Sequence, residues 1–96
     1  MGQDFEWHED KRQKNIDDRG IDFVDILPLF SQPESVVFED KRRDYGETRY
    51  ILMGELNDLF FQVAFTMRDT GIRIISARRG NKRERRIYAQ AKREAN

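Results

Sequence analysis

Cysteine is absent from this 96-residue sequence, so the chain can form neither disulfide bonds nor thiolate metal sites. No apolar run approaches the roughly 18 residues of a membrane-spanning helix, and we expect no contact with a membrane. Charge appears as early as Asp4, which argues against a signal peptide. These absences are compatible with a reducing compartment, and we expect a cytoplasmic protein.

Histidine is almost absent as well, since His8 is the only one. A metal site built from histidine and carboxylate side chains needs several such residues close together, and the sequence offers no convincing cluster of them. We therefore expect no metal and no cofactor. A lone histidine at the start of a helix is typical of a surface or capping residue.

The residues that are present indicate one small folded domain, which we expect to span residues 1–96. Aromatic residues make up 11% of the chain, which argues against disorder. Opposite charges balance exactly in number but not in position. Residues 1–47 have a net charge of −6 and residues 48–96 one of +6. Such a split favours an anionic partner for the second half, unless the two halves neutralise each other in space.

The first third of the chain predicts a short strand followed by helices. Phe5 and Trp7 alternate with a polar residue, and the polar run after them ends at Gly20, a residue typical of a helix C-terminus. Asp22 can cap a second helical segment, which Pro28 should keep short or kinked.

The rest of the chain predicts strands and a final helix. Asn57-Asp58 and Asp69-Thr70-Gly71 supply hairpin turns. Asn81 and Glu84 have the spacing of a capping box, and we expect Ile87, Tyr88 and Ala91 to face the sheet. The strand candidates are 36–40, 48–56, 59–68 and 71–79. Together these elements predict an α+β fold, an antiparallel β-meander of four to five strands with N-terminal helices and a C-terminal helix.

Strand alternation suggests a phosphate-binding groove on one face of this sheet. If Asp69-Thr70-Gly71 forms a three-residue loop, Arg68 pairs with Ile72 and Gln62 pairs with Arg78. The two arginines then share a face with small and polar side chains. The guanidinium group can hold a phosphate through two hydrogen bonds, although arginines at strand ends are often only solvated.

Several short motifs in this order resemble the BrnT family, ribonuclease toxins of bacterial type II toxin–antitoxin systems. The most specific is the run RIISAR at residues 73–78, followed by RER at 83–85. The other matching positions are the FEW at 5–7 with Lys11, Asn15, Gly20 and Phe23; Glu47, Arg49 and Tyr50; Thr66 and Arg68; and Tyr88.

This resemblance implies a RelE-like fold and a metal-independent endoribonuclease that cuts RNA to arrest translation. It also implies a cognate antitoxin, similar to BrnA, that neutralises the toxin and alone contacts operator DNA. The functionally important arginines of the family match Arg68 and Arg78, and its N-terminal aromatic residue matches Trp7. The family commonly has histidine at the position of Arg19. Because arginine effectively cannot titrate, a proton-transfer role at that position would be lost here or taken by another group. Arg19 and Glu47 are the nearest candidates to assist the two arginines, Glu47 as a base if it lies close to the ribose.

The remaining candidate residues would bind RNA. Trp7 and Tyr88 can stack on bases, but the alternative is packing in the core or against the sheet, which we favour for Tyr88. Lys82 and Arg83 would attract the RNA backbone, unless they belong to a solvated helix face. Two alternatives to a ribonuclease remain open. One is a non-catalytic nucleic-acid-binding module, and the other a degenerate toxin that acts as an antitoxin-binding corepressor.

Overall fold

A computed structural model describes residues 4–95 and confirms the predicted α+β class. A five-stranded sheet has the order β1-β5-β4-β3-β2, with one parallel pair, β1 with β5, and otherwise antiparallel pairs. The elements are β1 (Phe5–Glu6), α1 (Glu9–Arg19), α2 (Phe23–Ile26), a 3-10 helix (Leu27–Ser31), β2 (Val36–Asp40), β3 (Arg49–Leu56), β4 (Leu59–Arg68), β5 (Gly71–Arg79) and α3 (Lys82–Ala95). Residues 1–3 and 96 lie outside the described residues. That one domain spans the whole of residues 1–96 stays a prediction.

Helix α1 runs along the edge of β5, where β1 is too short to pair. Its buried Asn15 accepts a hydrogen bond from the backbone N–H of Ala77 at 3.1 Å and donates one to the carbonyl of Ile21 at 2.8 Å. Gly20 ends the helix in the left-handed conformation, with φ of 69°, as predicted. The polar helix thus protects a strand edge that would otherwise lack partners.

The core lies under the short α2 segment. Asp22 caps α2 through its side chain, which accepts from the Val24 N–H at 3.1 Å, and the chain tightens into the 3-10 helix that contains Pro28. Apolar side chains of these helices pack against every second residue of the strands. The largest side chains of this core that are fully buried are Phe23, Ile26 and Leu29 from the helices and Leu52, Val63 and Ile74 from the strands.

The hairpin between β4 and β5 differs from the prediction. Its turn has two residues, not three, because Gly71 belongs to β5 and pairs with Arg68. A Cβ atom at Gly71 would collide with the backbone of Asp4, so only glycine fits there. A register irregularity between Ala64 and Phe65 then restores the predicted pairing of Gln62 with Arg78.

This turn changes which side chains face the core. Ile72 and Ile74 are buried with the helices, instead of sharing a face with Arg68 as predicted. Arg73 takes their place, because it pairs with Thr66. The other tight turn is as predicted, with Asn57 at φ of 53° and Asp58 at φ of 66°, values typical of a two-residue hairpin.

Helix α3 begins with the predicted capping box. The Asn81 side chain accepts from the Glu84 N–H at 2.8 Å, and the Glu84 carboxylate accepts from the Asn81 N–H at 2.9 Å. Tyr88 is buried against Phe60, whereas Ile87 is 44% exposed. Across residues 4–95, no helix has the length and apolar character needed to cross a membrane.

Candidate functional site

Helix α3 covers only part of one face of the sheet, which we call the α3 face. Along β4 this face carries Phe60, Gln62, Ala64, Thr66 and Arg68, because side chains alternate across a strand. Phe60 and Gln62 are buried near α3, whereas Arg68 at the far end is exposed. The α3 face therefore has a covered end and an open end.

A carboxylate flanked by two arginines lies at the open end. Glu47, in the loop before β3, accepts hydrogen bonds from Arg68 at 3.1 Å and from Arg49 at 3.2 Å. Thr66 beside them donates to the Thr48 carbonyl at 2.6 Å and so fixes the loop to β4. Glu47, Thr66 and Arg68 border a cleft of about 300 Å³. The structure thus brings together Arg68 and Glu47, which are 21 residues apart in sequence.

A second ionic cluster continues this open end toward β1. The parallel pairing of β1 with β5 sets Glu6 beside Arg73, which donates two hydrogen bonds to the Glu6 carboxylate at 2.5 and 2.8 Å. Arg73 also lies 3.2 Å from His8 Nε2. Hydrogen bonds from Thr70 and Arg73 lower the pKa of Glu6, and the charge of Arg68 nearby lowers it further.

His8 and Arg73 are candidate functional residues that sequence reasoning missed. Because Arg73 can only donate, His8 Nε2 accepts its hydrogen bond, which places the proton of a neutral ring on Nδ1. The only signal in the sequence is alternation, since Phe5 and Trp7 face the core and Glu6 and His8 therefore face away. The parallel strand pairing that completes the cluster has no local signature.

Arg78 lies at the covered end, held by the first turn of α3. It donates two hydrogen bonds to the Glu84 carboxylate, at 2.9 and 2.5 Å. These bonds and the Asn81 N–H lower the pKa of Glu84, despite partial burial. Glu84 therefore serves both as the helix cap and as the partner of Arg78.

The spacing of the two arginines excludes a shared phosphate in this arrangement. Arg78 pairs with Gln62, and Arg68 lies six residues further along β4. At a rise of about 3.3 Å per residue, their Cα atoms are roughly 20 Å apart. They lie on the same face, as expected, but at opposite ends of it. Each would contact a different part of an extended ligand.

The other predicted site residues are dispersed. Arg19 is exposed in the last turn of α1, at the sheet edge. Trp7 packs on the opposite face of the sheet, edge-on to Phe23 with ring centroids 5.9 Å apart. Tyr88 is 3% exposed, so its ring packs in the protein and not at the surface. Lys82 and Arg83 are exposed in the first turn of α3.

The donor chemistry of the open end suits an anionic ligand. Three guanidinium groups, of Arg49, Arg68 and Arg73, and the imidazole of His8 lie there with the carboxylates of Glu6 and Glu47. Within residues 4–95, no group of three or more His, Cys, Asp or Glu side chains is arranged to hold a metal ion.

Comparison with known proteins identifies the family. Residues 7–84 match the family described as the ribonuclease toxin, BrnT, of type II toxin–antitoxin systems. No curated protein matches the chain. The matched range covers most of the sequence and contains β2 to β5, the first turn of α3, and both Arg68 and Arg78. The chain therefore belongs to the BrnT family of ribonuclease toxins of type II toxin–antitoxin systems.

Proposed function

We propose that this protein is an active, metal-independent endoribonuclease that cuts RNA in the cytoplasm and so arrests translation. The observation that carries the proposal is the open end of the α3 face. Arg68 and Arg73 lie there beside Glu47 and His8, on a surface that α3 leaves uncovered. A phosphate-binding group, Arg68, and a proton acceptor, Glu47, are thus in direct contact at 3.1 Å.

These groups suffice for cleavage because RNA carries its own nucleophile, the ribose 2′-OH. Glu47 takes the proton of the 2′-OH, whose oxygen attacks the adjacent phosphorus. Arg68 exchanges its carboxylate partner for the phosphate and stabilises the developing charge. The bond to the 5′-oxygen breaks, and water supplies the proton to that leaving oxygen. The products are a 2′,3′-cyclic phosphate and a 5′-hydroxyl.

Arg78 has a different role in this proposal, because it lies too far away to bind the same phosphate. It holds the RNA strand where that strand passes the start of α3, and Lys82 and Arg83 add a salt-dependent attraction. Arg19 contributes charge at the sheet edge. Base stacking by Trp7 or Tyr88 would require their rings to leave the contacts with Phe23 and Phe60.

A cognate antitoxin completes the proposed function. We propose a small protein similar to BrnA, encoded beside this chain, which neutralises it and alone contacts operator DNA. Family membership supports such a partner, since a type II toxin is neutralised by a protein antitoxin. A neighbouring reading frame without a small antitoxin-like product would weigh against it.

The test is cleavage of bulk RNA by purified protein in excess EDTA. We expect the wild type to cut, Arg68→Ala to lose most of the activity, and Arg78→Ala to be rescued in part by higher RNA concentration. Lys14→Ala is the control, since Lys14 is an exposed cation of α1 paired with Asp18. Intact RNA at micromolar wild-type protein would contradict the proposal.

One observation favours a second candidate, a non-catalytic corepressor or nucleic-acid-binding module. Arg68 and Arg78 are each neutralised by a glutamate of the same chain. A corepressor predicts tight binding to the neighbouring gene product without toxicity on expression. A binding module predicts that RNA is retained but not cut in the same assay.

A further inference from the structure

A second cleft lies on the α3 face, between the end of β2 and the first turns of α3. We call it the β2–α3 cleft, and its volume is about 240 Å³. Its floor consists of Ile51, Met53 and Gln62 from the middle strands. Clefts that take drug-sized ligands measure roughly 300–1,000 Å³, so this one suits a single small ring system.

The floor contains a polar group with an unmet hydrogen-bonding capacity. Gln62 is 8% exposed, and its Oε1 atom has no hydrogen-bond partner among the described residues. A buried acceptor without a partner costs about 1–3 kcal/mol. An apolar residue of similar size would avoid that cost. A ligand that donates a hydrogen bond to Gln62 would explain why an amide occupies this position.

Two exposed apolar side chains form the mouth. Phe38 of β2 and Ile87 of α3 line the cleft from opposite walls, and they are 42% and 44% exposed. An aromatic ring at the edge of such a cleft can stack on a flat ligand. The mouth therefore favours a planar group that enters between two apolar surfaces.

The charges around the cleft nearly cancel. Asp40 is paired with Arg42, and Glu84 is paired with Arg78. Lys41 and Arg83 remain on the rim with Glu39. A nearly neutral interior suits an uncharged ring, and the cations at the rim suit phosphates attached to it. Inorganic phosphate alone fits poorly, because it mainly accepts hydrogen bonds and leaves Oε1 unsatisfied.

We infer that the β2–α3 cleft binds one unpaired nucleobase of an RNA strand. The inference rests on the proposed function and adds a base-binding subsite next to Arg78. Phe38 stacks on the base, the Gln62 amide bonds to its edge, and Arg83 contacts the neighbouring phosphate. The Watson–Crick edge of every base carries both donors and acceptors, so an amide can bond to the edge of any unpaired base. A base within a duplex could not enter, so the cleft selects single-stranded RNA.

Binding of a labelled, uncleavable 2′-O-methyl oligonucleotide tests this inference separately from cleavage. We expect Phe38→Ala to weaken binding about 5- to 150-fold, the range for loss of one stacked base. Val37→Ala is the matched control, because Val37 is also exposed on the same strand, at 53%, but does not line the cleft. Circular dichroism of both variants would check that they fold.

Gln62→Leu tests the hydrogen bond. We expect it to fold at least as stably as wild type and to reduce the differences in affinity among oligo-A, oligo-C, oligo-G and oligo-U. Equal binding by the Phe38→Ala and Val37→Ala variants, or an unchanged ranking of the four oligomers in Gln62→Leu, would overturn the inference. So would a Phe38→Ala variant that loses affinity only for a protein partner.

The outcomes also separate this inference from the proposed function. The subsite alone is refuted if the wild-type protein cuts RNA but Phe38→Ala and Gln62→Leu leave oligonucleotide binding unchanged. A wild-type protein that neither cuts RNA nor binds any oligonucleotide refutes both. A protein that binds but does not cut, with Phe38 and Gln62 required, supports the subsite and refutes the nuclease.

Discussion

Replacing Tyr88 by alanine should release α3 from the sheet. The ring is 3% exposed, lies 5.2 Å from the Phe60 ring between centroids, and is covered by the Lys92 ammonium 5.0 Å away. Truncating a buried aromatic side chain to alanine costs about 3–5 kcal/mol. A domain of this size has a free energy of unfolding of only about 5–15 kcal/mol. The variant should therefore lose a large part of its stability.

Thermal unfolding followed by circular dichroism measures this loss. For a domain below 100 residues, each kcal/mol shifts Tm by about 4–8 °C, so we expect a decrease of at least about 12 °C. Tyr88→Phe is the control, because it keeps the ring and removes only the hydroxyl. We expect it to cost no more than about 1.5 kcal/mol, the net value of one hydrogen bond.

The same pair of variants distinguishes packing from base stacking. If Tyr88 acts by packing, Tyr88→Phe binds RNA like wild type, and Tyr88→Ala loses stability together with the Arg78–Glu84 pair that the docked helix positions. A Tyr88→Ala variant with wild-type Tm and weakened RNA binding would refute this reasoning. It would show that the ring leaves the Phe60 contact to meet a base.

Three further predictions concern stability. Asn15→Leu should lower the free energy of unfolding by about 1–3 kcal/mol in urea titrations, because the buried N–H of Ala77 loses its acceptor. Gly80→Ala should cost about 1–3 kcal/mol in the same assay, because its Cβ would overlap the Phe60 ring. The third concerns pH. Hydrogen bonds from the Arg12 side chain and the Val24 N–H lower the pKa of Asp22 from 3.8 to about 2 in the folded state. The unfolded state therefore binds more protons between these values, and the stability that Asp22 contributes should disappear as pH falls from about 4 to 2. Asp22→Asn retains a capping oxygen but should lack that part of the acid sensitivity.

Local sequence signals predicted the helices and strands well. The capping box of Asn81 and Glu84, the cap at Asp22 and the glycine at position 20 each act within a few residues, and all three occur as predicted. The alternation of apolar residues likewise located β2 to β5 to within a residue. These features depend on backbone chemistry that a short window of sequence contains.

Long-range pairing could not be predicted in the same way. The two-residue turn at the end of β4 depends on the close approach of Asp4 to Gly71, 67 residues apart. That approach moved Arg73 onto the α3 face and brought His8 beside it. The cluster of Glu6, His8 and Arg73 at the open end therefore depends on the pairing of β1 with β5, which no local pattern predicts. The sequence correctly predicted that Arg68 and Arg78 share a face of the sheet. It did not predict that roughly 20 Å of strand separates them.

The charge asymmetry of the chain has a structural explanation that also ranks the two arginines. Part of the acidic first half neutralises the basic second half directly, since Glu6 pairs with Arg73 and Glu47 pairs with Arg68. Exposed ion pairs are worth about 0–1 kcal/mol, so a phosphate can replace such a carboxylate at little cost.

Arg68 meets that condition better than Arg78. Its side chain is 44% exposed and makes one bond of 3.1 Å to Glu47. Arg78 makes two bonds to Glu84, whose side chain is 15% exposed and also caps α3. Releasing Arg78 would leave the partly buried Glu84 without its ionic partner, whereas releasing Arg68 frees an arginine at an exposed surface. This difference supports Arg68 over Arg78 as the proposed site of the reacting phosphate.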